Sequence, residues 1–229
     1  MTIEGLQKLT LLDYPGHTAC TVFLGGCNLR CPFCHNYTLA LGEAPGLMEE
    51  EELLSFLKKR QGLLDGVCFT GGEPLLRKEL PALMARVREL GFAIKLDTNG
   101  TLPDRLKGVV AEGLVDYVAM DIKNAPDRVG ETAGRPDLDL APIEESIQFL
   151  LSGAVDYEFR TTVVAEFHTV RDLQEIARQI RGAKRYFLQG FKLSEQVPDR
   201  HLTAPGEKEL QEILAAVQEI LPQAELRGI

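Results

Sequence analysis

The chain has 229 residues, of which 45% are hydrophobic and 26% are charged, and its formal net charge of −9 argues against a dedicated nucleic-acid binder, which usually carries a basic face. No apolar run approaches the roughly 18 residues of a membrane span, and residues 1–10 lack a long apolar segment, so we predict neither a membrane anchor nor a signal peptide. Five cysteines, three of them clustered, do not suggest a disulfide framework and favour a reducing, cytoplasmic location.

Hydrophobic periodicity predicts six strands that alternate with helices. The strands are expected at 17–24, 67–70, 92–96, 115–122, 155–164 and 185–191, the helices at 49–60, 83–90, 103–112, 143–151, 172–182 and 210–221, and a loop at 124–139. This alternation is typical of βαβ units with a mostly parallel sheet. A complete eight-unit barrel takes roughly 250 residues, so six units predict a partial barrel or an open doubly wound sheet. We expect one α/β domain over residues 1–229.

Three cysteines follow the first predicted strand at C-x3-C-x2-C spacing. Cys27, Cys31 and Cys34 are close enough along the chain to converge on one metal centre, and clustered thiolates select zinc or iron–sulfur clusters. A four-iron cluster normally takes four cysteines, so three would leave one iron with an open position. The alternative is a structural zinc site completed by His35 or Cys20. Otherwise Cys20, like Cys68, is expected to be a buried core thiol.

Polar groups also lie at the end of the next predicted strands or directly after them. The sets are Gly71-Gly72-Glu73, Asp97-Thr98-Asn99, and Asp121 with Lys123, while Arg160 lies inside the fifth strand. Because the carboxyl ends of parallel strands meet at one rim, we expect these groups to surround the cysteines. Carboxylates and cations together suit a zwitterionic ligand. His17, His168 and His201 have no partner that the sequence identifies.

These motifs resemble the radical S-adenosylmethionine (SAM) superfamily. The cysteine spacing, with the aromatic Phe33 between the last two thiols, matches its first signature, and Gly71-Gly72-Glu73-Pro74 resembles its second. The resemblance implies a partial (β/α)6 TIM-like barrel, a [4Fe–4S] cluster held by the three cysteines, and SAM on the fourth iron.

A narrower resemblance is to the glycyl-radical-enzyme activases. It is carried by the sequences at 13–16, 31–36, 97–100 and 120–123, and the anaerobic ribonucleoside-triphosphate reductase activating proteins look closest through 11–16 and 25–31. The implied activity is reductive cleavage of SAM to methionine and a 5′-deoxyadenosyl radical, which takes a hydrogen atom from a glycine of a partner enzyme. The implied partners are that glycyl radical enzyme and a flavodoxin or ferredoxin as electron donor.

The resemblance also implies roles for individual residues. Phe33 would border the adenine, and the glycine pair with Glu73 would hold the methionine amino group. Asp97, Thr98 and Asp121 match positions that hold a monovalent cation beside the SAM carboxylate. The remaining SAM contacts would be Asn99, Lys123 and Arg160. The strand at 186–191 lacks a histidine that the pyruvate formate-lyase activase carries there, which weakens that specific assignment.

Two other functions remain open from the sequence. One is a compact radical SAM enzyme acting on a small molecule, such as a ring-contracting enzyme of the 7-carboxy-7-deazaguanine synthase type. It should carry a ligand-specific set of residues beyond the SAM contacts. The other is a metal-stabilised binding module without catalysis.

Overall fold

The computed structural model describes residues 1–228. The strands are β1 (Thr2–Ile3), β2 (Gly5–Thr10), β3 (Ala19–Leu24), β4 (Met48–Glu49), β5 (Gly66–Gly71), β6 (Ala93–Thr98), β7 (Tyr117–Asp121), β8 (Asp156–Val163), β9 (Tyr186–Gly190) and β10 (Ala224–Arg227). The α-helices are α1 (Tyr37–Leu41), α2 (Glu50–Lys58), α3 (Leu80–Glu89), α4 (Pro103–Ala111), α5 (Val129–Thr132), α6 (Ala141–Leu151), α7 (Val170–Gln179) and α8 (Glu207–Gln218). A short 3-10 helix spans Pro74–Leu76.

One eight-stranded sheet organises the chain in the order β10-β9-β8-β7-β6-β5-β3-β2. Every pair from β3 to β10 is parallel, and β2 adds to the β3 edge in the antiparallel sense. Within residues 1–228 no ladder joins β10 to β2, so the sheet is a partial barrel. The predicted α/β fold with a mostly parallel sheet is confirmed. Among these residues, none of the helices has the length and apolar character that a membrane span requires.

The main core lies between the sheet and its helices. Leu96 of β6, Val118 of β7 and Phe159 of β8 are fully buried there against leucine and isoleucine side chains of the helices. The alternate positions on the same strands face the concave side, and several of them are charged, as with Asp97, Asp121 and Arg160. The helices therefore bury one face of the sheet and leave polar side chains along the other.

All six predicted strands and all six predicted helices are present, with ends shifted by a few residues. Several placements were wrong. Gly71 lies inside β5, and Asp97 and Thr98 lie inside β6, instead of following these strands. The expected loop at 124–139 contains the short helix α5. The sequence analysis also missed β1, β2, β4, β10 and α1, which are short or lie at the sheet edge.

Candidate active site

The cysteine loop begins where β3 ends. Backbone hydrogen bonds fix its start, because Gly26 N–H donates to Leu39 O at 2.7 Å and Cys27 N–H donates to Ala40 O at 3.0 Å. The far end of the motif is tightened by a bond from Cys34 N–H to Cys31 O at 3.1 Å. The loop therefore runs between β3 and α1 with its backbone held at both ends of the motif.

The glycine pair after β5 allows a close backbone approach to this loop. Glu73 N–H donates to Gly26 O at 2.8 Å, and a Cβ on Gly72 would lie 2.1 Å from that same oxygen. Gly71 has φ +120°, a backbone conformation that residues with a Cβ rarely adopt. The second motif thus supports the first through backbone contact.

All three predicted thiols line a single cleft at the carboxyl ends of the strands. Leu29 N–H and Asn99 Nδ2 both approach Cys27 Sγ, at 3.4 and 3.8 Å. Burial raises the pKa of each thiol, to about 11 for Cys31, so metal binding at this loop must displace protons. Within residues 1–228 no three metal-ligating side chains converge closely enough to hold a single metal ion.

Neither candidate for a fourth zinc ligand joins the three thiols in a metal-binding group. Cys20 is fully buried in the main core, behind β3. His35 borders the cleft, but its Nε2 is hydrogen-bonded to Lys192 O and its ring packs 5.5 Å from the ring of Phe191. His35 thus serves as a local hydrogen-bonding residue, and neither side chain is directed at the three thiols.

The structure brings nearly all of the predicted site residues to this cleft. Its lining includes Phe33, Gly71, Gly72, Asp97, Thr98, Asn99, Asp121, Lys123 and Arg160 together with Cys27, Cys31 and Cys34. They come from the ends of five neighbouring strands, as the parallel topology predicts.

Glu73 is the exception among these predictions. Its side chain is fully buried behind the cleft wall, where it accepts hydrogen bonds from Asn99 N–H at 2.7 Å, Thr98 Oγ1 at 3.0 Å and Leu75 N–H at 3.1 Å. Burial raises its pKa to about 7 despite these donors. Through these hydrogen bonds, Glu73 links the end of β5 to the end of β6.

A row of alternating charges forms one wall of the cleft. Arg160 Nε donates to Asp121 Oδ1 at 2.9 Å, and its guanidinium reaches Asp97 Oδ2 at 3.4 Å. Lys123 Nζ donates to the other oxygen of Asp121 at 3.0 Å. A buried lysine, Lys95, pairs with Asp97 from below. Burial alone would raise the carboxyl pKa values, but these cations outweigh it and hold the pKa of Asp97 and of Asp121 below the usual range.

The sequence matches the family model described as "Radical SAM superfamily" over residues 21–180. The chain belongs to the radical SAM superfamily.

Among relatives of this radical SAM chain, a Methanocaldococcus jannaschii protein, provisionally named as a glycyl-radical enzyme activating enzyme, is 31% identical over 99% of the chain and 96% of its own length. The pyruvate formate-lyase-activating enzyme of Clostridium pasteurianum is 33% identical over 55% of the chain and 53% of its length. The 7-carboxy-7-deazaguanine synthase of Koribacter versatilis is 33% identical over 64% and 62%.

The fold is also shared with solved structures. A domain of the pyruvate-formate lyase-activating enzyme from Bacteroides vulgatus superposes with a TM-score of 0.58 at 19% identity, covering 71% of this chain and 99% of that domain. The radical SAM family implies a [4Fe–4S] cluster and SAM as the cofactors of this enzyme. The structure fits them, because three thiols share a cleft with a row of charged side chains.

The sequence analysis missed several side chains of this radical SAM site. Thr70, Thr162 and Gln189 line the cleft from β5, β8 and β9. The alternation of side chains along a strand could have identified such residues, because Thr162 lies two positions after Arg160 and therefore on the same inward face of β8. The partner of His168 is also now visible, since its Nε2–H donates to Lys123 O at 2.8 Å while Val164 N–H donates to its Nδ1 at 3.1 Å. His168 therefore holds the end of β7 against the end of β8.

Proposed function

We propose that this radical SAM enzyme is an activase of a glycyl radical enzyme. The observation that carries the proposal is the match to a provisionally named activase over nearly the full length of both chains. When bound, the reduced cluster and SAM supply reductive C–S cleavage to methionine and a 5′-deoxyadenosyl radical, which takes a hydrogen atom from a glycine of the partner. The protein supplies orientation and shielding for this chemistry.

In this proposal, Cys27, Cys31 and Cys34 hold the cluster, and the missing fourth thiolate leaves one iron for SAM. The support is that the three thiols share one cleft while Cys20 is buried in the main core and Cys68 points into the partial barrel beside Lys95. Short spacing within one backbone-fixed loop suits a cluster whose irons each need a separate thiolate.

The charged wall is proposed to orient the amino-acid end of SAM. Arg160 and Lys123 offer cations for its carboxylate, and the rim backbone at Gly71 and Gly72 offers acceptors for its ammonium group. Glu73 does not contact the ammonium group in this proposal. It holds the rim and Asn99 in the position that binds this group. Phe33 borders the adenine in this proposal. Its ring lies 6.0 Å from Lys123 Nζ and 6.1 Å from the ring of Phe167, so it is held in place from two sides.

The partner is proposed to be an anaerobic ribonucleoside-triphosphate reductase. The support is the resemblance at 11–16 and 25–31, which fall at opposite ends of β3. The turn at 11–16 precedes β3, and there Tyr14 stacks on His17 with ring centroids 4.1 Å apart, remote from the cleft. Because Tyr14 is buried, we propose a structural role for its side chain, and partner contact is assigned to the rim. We further propose a flavodoxin or ferredoxin as the electron donor and a cytoplasmic location. We also propose that the chain forms a single domain, which the eight-stranded sheet supports.

The second candidate is a ring-contracting radical SAM enzyme of the 7-carboxy-7-deazaguanine synthase type. The partial match to such enzymes favours it, together with polar side chains in the cleft beyond the proposed SAM contacts, namely Asn36, Thr162 and Gln189. The matches to such synthases are either shorter or less identical than the activase match, which is 31% identical and spans nearly all of both chains.

The test is anaerobic reconstitution with reductant, SAM and the glycyl-radical partner encoded in the same genome. A glycyl radical seen by electron paramagnetic resonance, and lost when the target glycine of the partner is replaced by alanine, is the expected result. Deoxyadenosine formed without any radical on the partner would contradict the activase proposal and favour the small-molecule enzyme. One zinc and no sulfide per chain would instead support a binding module.

A further inference from the structure

Lys95 is a buried cation that the sequence analysis did not single out. It lies on the inward face of β6, beside Cys68 of β5 and Tyr117 of β7 in the parallel register. Its side chain is only 1% exposed, and its Nζ contacts Asp97 Oδ1 and lies 3.8 Å from Cys68 Sγ. A lysine is almost never fully buried unless it is paired, so the partner of this ammonium group is Asp97.

This pair sets the charge of the cleft wall. Three cations, Lys95, Arg160 and Lys123, face two anions, Asp97 and Asp121, so the row carries +3 − 2 = +1. Without the lysine the balance would be +2 − 2 = 0. A neutral row has no surplus charge for a ligand carboxylate, whereas a surplus of one complements a single carboxylate. Because Lys95 is buried, solvent and salt screen its charge less than they screen the charge of a surface lysine.

The geometry also leaves little need for an additional cation at the carboxylates. Both oxygens of Asp121 accept from Arg160 and Lys123, at 2.9 and 3.0 Å. Asp97 has Lys95 at one oxygen and Arg160 at the other. A mobile monovalent cation at Asp97 would lie close to the ammonium group of Lys95 and would be repelled by it.

We propose that Lys95 is a positioning residue that acts as a built-in cation beneath Asp97, so that this chain binds SAM without a monovalent metal ion. The proposal rests on the proposed function, since it takes SAM to be the ligand of the cleft. It replaces the expectation of a cation held by Asp97, Thr98 and Asp121.

The experiment measures SAM affinity by anaerobic equilibrium dialysis with the cluster-loaded, non-reduced protein. Choline, sodium, potassium and ammonium chlorides are compared at equal ionic strength. We expect the affinity of the wild type to vary by less than about twofold across the salts. Lys95→Met should bind SAM at least about tenfold more weakly in choline, which is about 1.4 kcal/mol, and potassium or ammonium should restore much of the loss.

Lys107→Met is the matched control, because Lys107 is a half-exposed lysine paired with Glu145 on the helical surface. It should behave as the wild type does in every salt. Lys95→Gln, which keeps a polar head group, replaces the methionine variant if that one does not fold. A tenfold loss of wild-type affinity in choline, or a Lys95 variant that binds normally there, would overturn the inference. Failure of the wild type to bind SAM in any salt would instead contradict the proposed function.

Discussion

Three thiols in one cleft make the strongest residue-level prediction. Replacing Cys27, Cys31 or Cys34 with alanine should remove bound iron and abolish deoxyadenosine formation, because each thiolate is proposed to hold a separate iron. Cys20→Ala is the matched control, since Cys20 is a fully buried cysteine in the main core. It should cost about 1 kcal/mol or more of stability by leaving a small cavity, yet keep the cluster. Iron and sulfide analysis with product chromatography checks both.

His168 gives a prediction about pH. Burial lowers its pKa, and the hydrogen bond from Val164 N–H requires an unprotonated Nδ1. A group whose folded-state pKa is depressed loses stability as pH falls below its unfolded value of about 6.5. Between pH 7 and pH 5, the wild type should therefore lose more stability than His168→Gln, with a difference of at most about 1.4 kcal/mol per pH unit.

Urea unfolding of the metal-free proteins at the two pH values measures this difference. Glu73 also titrates near this range, but its raised pKa acts in the opposite sense, because stability from a buried neutral carboxyl grows as pH falls. Since Glu73 is present in both proteins, its effect cancels in the comparison. Equal pH dependence in the two proteins would show that His168 does not stay neutral in the fold.

The residues with distinctive spacing could be predicted from the sequence, and those that act through burial could not. The C-x3-C-x2-C motif and the polar strand ends predicted the site, because cysteines and charged residues are unusual at those positions. Lys95 lies in a predicted strand two residues before Asp97, which indicates a shared face, but the sequence does not show that the face is closed to water. The role of His168 could not be predicted from the sequence either, because its partners are backbone groups of Lys123 and Val164.

At the scale of elements, the segment after α5 supports the cysteine loop. Arg30 N–H donates to Ala133 O at 2.9 Å, and the side chain of Arg135 donates to Asn28 O at 3.0 Å. Between them, Gly134 has φ +65°, and a Cβ there would lie 2.1 Å from Arg30 O. Gly134→Ala should therefore displace the loop and reduce cluster loading severalfold, as measured by iron content and visible absorbance.

Gly153→Ala separates this steric effect from backbone strain. Gly153 also has a positive φ, +76°, but nothing lies within 4 Å of its added Cβ. The control should lose about 1 kcal/mol of stability from the strained backbone while loading the cluster normally. Equal loading by the two variants would argue that the approach of the segment at 133–135 does not hold the cysteine loop.

The last strand depends on a buried charge pair. Arg227 of β10 donates to both oxygens of Glu158, at 2.8 and 3.0 Å, and Tyr117 Oη donates to the same carboxylate at 2.9 Å. Glu158 is fully buried, whereas the side chain of Arg227 is 30% exposed. Arg227→Leu should destabilise the protein by about 2 kcal/mol, because it leaves a buried carboxylate with one donor.

Chemical denaturation of Arg227→Leu beside the double variant with Glu158→Gln measures this effect, and the double variant should recover part of the loss. A double variant no more stable than the single one would contradict the charge-pair explanation. This pairing also shows why β10 escaped sequence prediction. Its four residues alternate weakly, and the strand is fixed by a contact with residue 158, which local sequence cannot reveal.

At the scale of the whole molecule, the buried apolar side chains of residues 1–228 form three separate groups, the smallest of which consists of Tyr14, Ala19 and Tyr117. The main core fills the space between the sheet and its helices. A smaller upper group surrounds the cysteine loop and consists of Leu29, Cys31, Phe33, Ala133, Val164, Phe191, Val197 and Leu202. Because Cys31 belongs to the upper group and Cys27 and Cys34 pack against it, the cofactor site and the main core can lose order separately.

Removal of the metal should therefore loosen the upper group and leave the sheet folded. In chelated, metal-free protein, we expect amides at 27–36 and 192–202 to exchange with solvent at least about tenfold faster than in the loaded protein, since local openings there need not disrupt the main core. Amides of β5, β6 and β7 should remain slow, and cooperative urea unfolding should persist. Hydrogen exchange read by mass spectrometry resolves these segments. Fast exchange throughout the sheet of the metal-free protein would mean that the cluster is required for the whole fold, as in small zinc domains that unfold without their metal.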